Sequence, residues 1–265
     1  MIGFIGIGNM GGAILKGMIN SNTVQASNIY VFDVDKTKME DLKKEYNINM
    51  IENTSKLVET CNIMILAVKP HICEKVLGEI KQCIKPKQIL ISIAAGWSTA
   101  KLRVALEHKG KVISVMPNTP AIVGAGVIAL SKDHDLDISE LEEVKALLKG
   151  NGLVVMVEEE KMAATTGISG TMPACVAMYI EALTDAGVSN GLSRDFALQI
   201  AAQTVMGTAK MVLETKTHPA ILKDQVCTPA GITIEAVVAL EEDGFRGTVI
   251  RSVNRCTQKC LDMLK

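Results

Sequence analysis

The feature that most constrains this chain is a change of pattern near residue 158. Before it, short apolar runs alternate with helical segments; after it, no strand-like run remains. The runs Ile2–Ile7, Ile29–Phe32, Ile63–Val68, Ile89–Ile93 and Val112–Met116 are of strand length and rich in Ile and Val. They are uninterrupted rather than alternating, as in a sheet buried on both faces. Segments such as Lys36–Glu45 and Ile72–Lys81 mix Leu, Glu and Lys as helices do. This alternation predicts a parallel sheet with helices on both sides. Gly126–Leu130 and Leu153–Val157 add two strands around a helix over Ile138–Lys149, closed by Gly150 and Gly152.

Beyond Glu158, Lys161–Ala186, Ser193–Glu214, Gly231–Glu242 and Phe245–Leu264 read as helices. Phe196–Leu213 is apolar nearly all round, and a helix without a polar face must be buried on every side. About a hundred residues supply few layers to cover it. A second copy of the chain is therefore expected to complete the enclosure, giving a homo-oligomer built through the helical half.

Composition narrows the partners. Twenty-eight Lys+Arg balance 29 Asp+Glu, and no basic face is clustered, so nucleic acid is not an expected partner. The 3% aromatic content also disfavours base stacking. The longest apolar run, Ile89–Trp97, is about half of the ~20 residues a membrane span needs. A strand pattern already begins at Ile2, so no targeting peptide and no membrane are expected. Seven scattered cysteines without CxxC predict no metal site and a reduced, cytoplasmic protein. Cys256 and Cys260, four apart on a helix, read as packing residues.

The first run leads straight into Gly6-Ile7-Gly8-Asn9-Met10-Gly11 and then a helical segment. A GxGxxG string placed between strand and helix, at the head of a β–α series, points to a bound dinucleotide. Gly6 permits the tight turn, Gly8 lets the backbone approach a pyrophosphate, and Gly11 lets helix and sheet pack closely. Amides at the helix start hold the anion. The fold class expected is α/β: an N-terminal Rossmann domain over 1–158 and an all-α C-terminal domain over 159–265. Asp33 ends the second strand, where a carboxylate accepts from both ribose hydroxyls of NADH and repels the 2′-phosphate of NADPH. Two charges ~4 Å apart cost about 4 kcal/mol at an effective dielectric of 20, which leans the cofactor toward NADH. Asp35, Lys36 and Lys38 lie close enough to leave NADPH open.

Further strings then occur in order: Ala67-Val68-Lys69-Pro70-His71, Met116-Pro117-Asn118-Thr119-Pro120, Gly191-Leu192-Ser193-Arg194, Leu222-Lys223-Asp224-Gln225-Val226-Cys227-Thr228-Pro229 and Gly244-Phe245-Arg246. With the glycine loop they resemble the pyrroline-5-carboxylate reductase family over nearly the whole chain. The resemblance implies reduction of 1-pyrroline-5-carboxylate to L-proline, the last step of proline biosynthesis, by hydride from NADH or NADPH. It also implies a helical domain that interlocks two subunits, often within a larger ring. Carried over by position, Gly6, Ile7, Gly8, Asn9, Met10 and Gly11 would take the pyrophosphate. Ala67, Val68 and Lys69 would line the ribose and phosphate side. Asn53, or its neighbour Thr54, would lie near the adenosine ribose, and Ala94 and Ala95 with Gly96 against the nicotinamide. Thr228, Gly231 and Thr233 would hold the substrate carboxylate and ring nitrogen. The chain departs from the family strings at Met172, Ala230 and Ala125, and Met172 puts a long side chain beside the substrate.

A cyclic imine takes its proton from water, so alignment rather than a strong acid carries the reaction. Thr233 is the expected catalytic residue, contacting the ring nitrogen; the bland alternative is a helix-capping threonine. Lys69 has a solvent-facing alternative, Asn118 contacts the cofactor or shapes its turn, and Trp97 packs or sits at an interface. His218, before Pro219, reads as a surface loop residue. Three other functions remain open. A β-hydroxyacid dehydrogenase would need a lysine where this chain has Val176. A reductase of a related cyclic imine and a cofactor-binding regulatory module without turnover both accommodate Met172.

Overall fold

The computed structural model describes residues 1–264. Eight strands form one sheet: β1 Ile2–Ile5, β2 Ile29–Phe32, β3 Asn49–Met50, β4 Ile63–Leu66, β5 Ile89–Ser92, β6 Lys111–Pro117, β7 Gly126–His134 and β8 Gly152–Val157. Their order is β3-β2-β1-β4-β5-β6-β7-β8. The order reverses between β1 and β4, the position where an open α/β sheet leaves a crevice at its strand ends. Successive side chains point to opposite faces, which explains the unbroken apolar runs. Phe4, Ile63 and Ile65 enter one core with Ile14, Leu15 and Leu148. Ile5, Met64 and Leu66 enter the other with Leu57, Leu77 and Leu102.

The expected all-parallel pattern is corrected at one place: β7 runs antiparallel to β6, while the other neighbours are parallel. Only a short connection joins Pro117 to Gly126, and a parallel crossover needs a dozen or more residues. The two-residue β3 was not expected. Six helices join these strands: α1 Asn9–Asn20, α2 Lys36–Tyr46, α3 Thr54–Thr60, α4 Pro70–Ile80, α5 Thr99–Ala105 and α6 Ile138–Leu148. Asp137 and Glu140 close a reciprocal capping box at the start of α6.

The later helices are α7 Met162–Ser169, α8 Met172–Ser189, α9 Arg194–Thr215, α10 Pro219–Val226, α11 Ile232–Glu242 and α12 Phe245–Leu264. The single helix expected over Lys161–Ala186 is thus two. Pro173 has no N–H to donate to Ser169 O four residues back, so the ladder breaks there. That carbonyl instead accepts from Asn118 Nδ2 at 2.8 Å. α10 was not expected, while His218 lies exposed just before it, as read from the sequence. Pro219 occupies its first position and His218 Nδ1 accepts from Ala220 N at 3.2 Å.

The chain forms two compact units, Met1–Thr171 with Cys256–Lys265, and Met172–Arg255. The division falls after the expected 158 because α7 packs on β6 and β7. In the second unit α9 buries only Ala197 and Ala201. Phe196, Met206 and Leu213 on the same helix are 52%, 56% and 72% exposed. Among the described residues, α9 is the one helix long and apolar enough to cross a membrane by length and composition.

Candidate active site

The glycine loop is shaped by contacts that only glycine allows. Gly6 turns at φ +89°, donates its N–H to Phe32 O at 2.8 Å, and leaves no room for a Cβ, which would lie 2.9 Å from Ala67 O. A Cβ on Gly11 would lie 2.6 Å from Gly6 O, so the start of α1 is seated directly on the turn. Gly8 differs: open space surrounds its Cβ position. It is the N-cap of α1 and supplies no side-chain acceptor to the first amides. Uncapped amides facing open space, with a helix dipole behind them, suit an anion. The loop therefore fits a dinucleotide's pyrophosphate.

Gly6, Gly8, Asp33, Ala67, Val68 and Lys69 line one cavity of about 450 Å³. Ile7 and Asn9 line a neighbouring cavity of about 370 Å³ that Gly8 also borders. Met10 packs against the core behind the loop. Asp33 has a second duty that its sequence position does not reveal. Its Oδ2 accepts from Ile7 N at 2.7 Å and its Oδ1 from Asp35 N at 2.9 Å. The carboxylate thus ties the glycine loop to the turn before α2 while keeping a negative charge at the cavity. Each oxygen retains acceptor capacity for a hydroxyl.

Two other expected positions lie outside this cavity. Asn53 does not line this cavity: it caps α3, its Oδ1 accepting from Lys56 N at 2.9 Å. Ala94 and Ala95, after β5, border a separate small cavity of about 70 Å³ with Gly96 and Met162. Asn118 shapes its turn. Besides its bond to Ser169 O, its Oδ1 accepts from Val127 N at 2.8 Å, so both ends of the amide serve backbone. Sequence reasoning missed Val34 and Ile72, exposed by 91% and 40%, which put apolar surface on the cavity. An aliphatic side chain between Asp33 and Asp35 was the available signal. Cys73, in α4 close by, is a core thiol pushed up to about 11 by burial and has no nucleophilic character at neutral pH.

In the second unit, Thr228, Gly231 and Thr233 come together at the start of α11. Gly231 is its N-cap, with N–H donated to Thr228 O at 3.0 Å. A Cβ on Gly231 would lie 2.2 Å from Thr228 Oγ1, so the absence of a side chain here leaves room for that hydroxyl in its present rotamer. The hydroxyls of Thr228 and Thr233 have no hydrogen-bond partner among the described residues, and Gly231 offers the helix no side-chain cap. Thr233 is exposed in the first turn, so it is not spent on capping. Met172, partly buried, opens α8 of the same unit. Ala230 adopts φ +56°, in the left-handed region.

Residues 159–263 match a family model described as pyrroline-5-carboxylate reductase dimerisation. Residues 1–96 match one described as NADP oxidoreductase, coenzyme F420-dependent. The pyrroline-5-carboxylate reductase of Escherichia coli K12 is 43% identical over 97% of this chain and 96% of its own. The chain belongs to the pyrroline-5-carboxylate reductase family. The Methanosarcina acetivorans reductase is 38% identical over 100% of this chain and 98% of its own. The crystal structure of Plasmodium falciparum pyrroline carboxylate reductase with NADP bound has a TM-score of 0.90 and 32% identity. It covers 100% of this chain and 98% of that one. Membership makes the chain an NAD(P)H-dependent oxidoreductase, as its glycine loop had indicated.

Proposed function

We propose that this chain reduces the carbon–nitrogen double bond of 1-pyrroline-5-carboxylate to give L-proline, as the names of its relatives describe. The observation that supports this reading most is a pair of helix starts whose N-cap is glycine, which leaves the first amides without a side-chain acceptor. One is α1 at Gly8 and the other α11 at Gly231. Each suits an anion, and the two reactants bring one each: a pyrophosphate and a carboxylate.

Gly6 to Gly11 hold the pyrophosphate, Ala67, Val68 and Lys69 flank it, and Val34 and Ile72 give the adenine an apolar wall. Ala94 and Ala95 back the nicotinamide, which when bound supplies the hydride. Thr228 and the first amides of α11 take the substrate carboxylate, Met172 bounds the ring, and the Thr233 hydroxyl contacts the ring nitrogen. It orients the nitrogen and passes on the proton, which comes from water. No buried acid is required. The dehydrogenase alternative lacks its lysine at Val176.

The cofactor preferred is NADH. The Plasmodium relative holds NADP, but here the Asp33 carboxylate stands at the cavity, and Lys38 is already paired with Asp35 at 3.5 Å. The second unit forms a homodimer, with α9 buried against the partner rather than in lipid, and dimers assemble further into a ring. Seven free thiols favour a cytoplasmic location.

The test is kinetic. Thr233→Val is expected to lower kcat by about ten- to a hundredfold, and unchanged kinetics removes Thr233 from the mechanism. NADH is expected to exceed NADPH in kcat/KM by about tenfold or more, and the reverse preference overturns the role given to Asp33. Dinucleotide binding without turnover of any cyclic imine would favour the regulatory-module alternative.

A further inference from the structure

We propose that Trp97, through its indole N–H, is a positioning residue that holds the two cofactor loops of the nucleotide-binding unit at a fixed spacing. This rests on the reading that Ala67–Lys69 flank the phosphates and Ala94–Gly96 back the nicotinamide. These loops leave the ends of β4 and β5, which are neighbours in the sheet. Beyond the strand ends the ladder no longer fixes their separation. Trp97 bridges them: its Nε1 donates to Pro70 O, the first residue of α4, at 3.2 Å.

The rest of Trp97 anchors its own loop. Its backbone N–H donates to Ala94 O at 3.3 Å, and its carbonyl accepts from Ser114 Oγ, on β6, at 3.1 Å. Gly96, at φ +80°, makes the turn that places the indole, and its carbonyl accepts from Lys101 Nζ at 3.4 Å. The ring itself packs on the core formed by Leu66, Leu77 and Leu102. Every polar group of this residue is therefore committed: one to its own loop, one to β6, one to the helix that follows Lys69. Its ring lies over a hydrophobic core, so packing alone would explain a large apolar residue. Packing does not explain a donor aimed at the start of α4. Hydride transfer is sensitive to ångström-scale displacement, and this bond fixes one end of the dinucleotide site relative to the other.

The test separates donor from ring. Trp97→Phe keeps an aromatic ring and deletes the N–H. NADH affinity is read from the emission of the nicotinamide itself, at a temperature where both proteins are fully folded, so a stability loss does not mimic weaker binding. The expected result is a Kd weaker by about three- to tenfold, because binding then carries the cost of setting the loop spacing that the bond holds in advance. A larger primary isotope effect on kcat is expected with NADH deuterated at the transferred position, because misalignment slows the hydride step. As the only tryptophan, residue 97 also reports directly, and wild-type indole emission is expected to change on titration with NADH. Wild-type NADH affinity in Trp97→Phe overturns the proposal, whether or not the melting temperature falls. The affinity arm does not depend on turnover, so it decides the matter even if the imine reading fails.

Discussion

The two compact units solve the problem of apolar burial in opposite ways. In the nucleotide-binding unit, Phe4, Ile14, Leu15, Met64, Ile65 and Leu77 are completely enclosed, and both faces of the sheet are covered by the chain's own helices. In the helical unit the only buried hydrophobic residues are Ala197 and Ala201, while Met178, Phe196, Met206, Leu213 and Ile250 are exposed. Apolar content does not separate the units, since α9 alone rivals a membrane span. The first unit has a core of its own; the second has the material for a core and too few layers to enclose it. Its covering is intermolecular, as the dimerisation match over residues 159–263 leads one to expect.

The sharpest way to break this contrast is to place the same charge on both units. Met206→Glu puts a carboxylate on α9, at a side chain 56% exposed in the single chain. If a partner covers it, burying that unpaired charge costs several kcal/mol. Light scattering should then show monomer, and reduction of the imine should fall by about a hundredfold or more. Ile138→Glu is the control: Ile138 is 85% exposed at the first position of α6. A carboxylate is favourable at a helix start, so stability should shift by less than about 0.5 kcal/mol and mass should not change. A Met206→Glu protein that remains dimeric and active would mean that the helical unit needs no partner surface at α9.

The same contrast governs what could be read from the sequence. In the nucleotide-binding unit, local signals and tertiary structure agree. Ile29–Phe32 is a strand as predicted, and the first strand stops at Ile5 because Gly6 turns the chain. The antiparallel β7 was legible in principle, because the connection from Pro117 is too short for a crossover. Asp33 lines the cavity beside the glycine loop that its place after the second strand suggested, but its bond to Ile7 N was not legible, since that contact depends on two loops 26 positions apart. Asn53 was read only as a family position, while local chemistry, an Asn before a helix, also predicts the cap it makes on α3. In the helical unit the signals were weaker. A uniformly apolar helix has no face from which to read its neighbours, so α9 announced burial against a second copy without saying which of its residues meet it. The break between α7 and α8 was written in Pro173, and α10 in Pro219 at its first position, but neither has a strong periodic pattern.

Backbone strain offers a smaller test of the same difference. In the nucleotide-binding unit the left-handed turn of the cofactor loop falls on Gly6, where it costs nothing sterically. In the helical unit the corresponding turn before α11 falls on Ala230, at φ +56°, between Thr228 and Gly231. A Cβ in that region crowds the following carbonyl, at roughly 1 kcal/mol or more. Ala230→Gly should therefore stabilise the folded protein, although the freer unfolded chain takes part of the gain back. The net expectation is about 0.5 kcal/mol, read as a small rise in denaturation midpoint with an unchanged slope. Gly6→Ala should go the other way and much further, since its Cβ would meet the Ala67 carbonyl carbon and oxygen at 3.0 and 2.9 Å. If Ala230→Gly instead destabilises the protein, the alanine methyl makes a contact, within the chain or across the dimer, that outweighs its strain. The turn before α11 would then be held by packing, as the turn at Gly6 is by its close approach to Ala67 and Gly11.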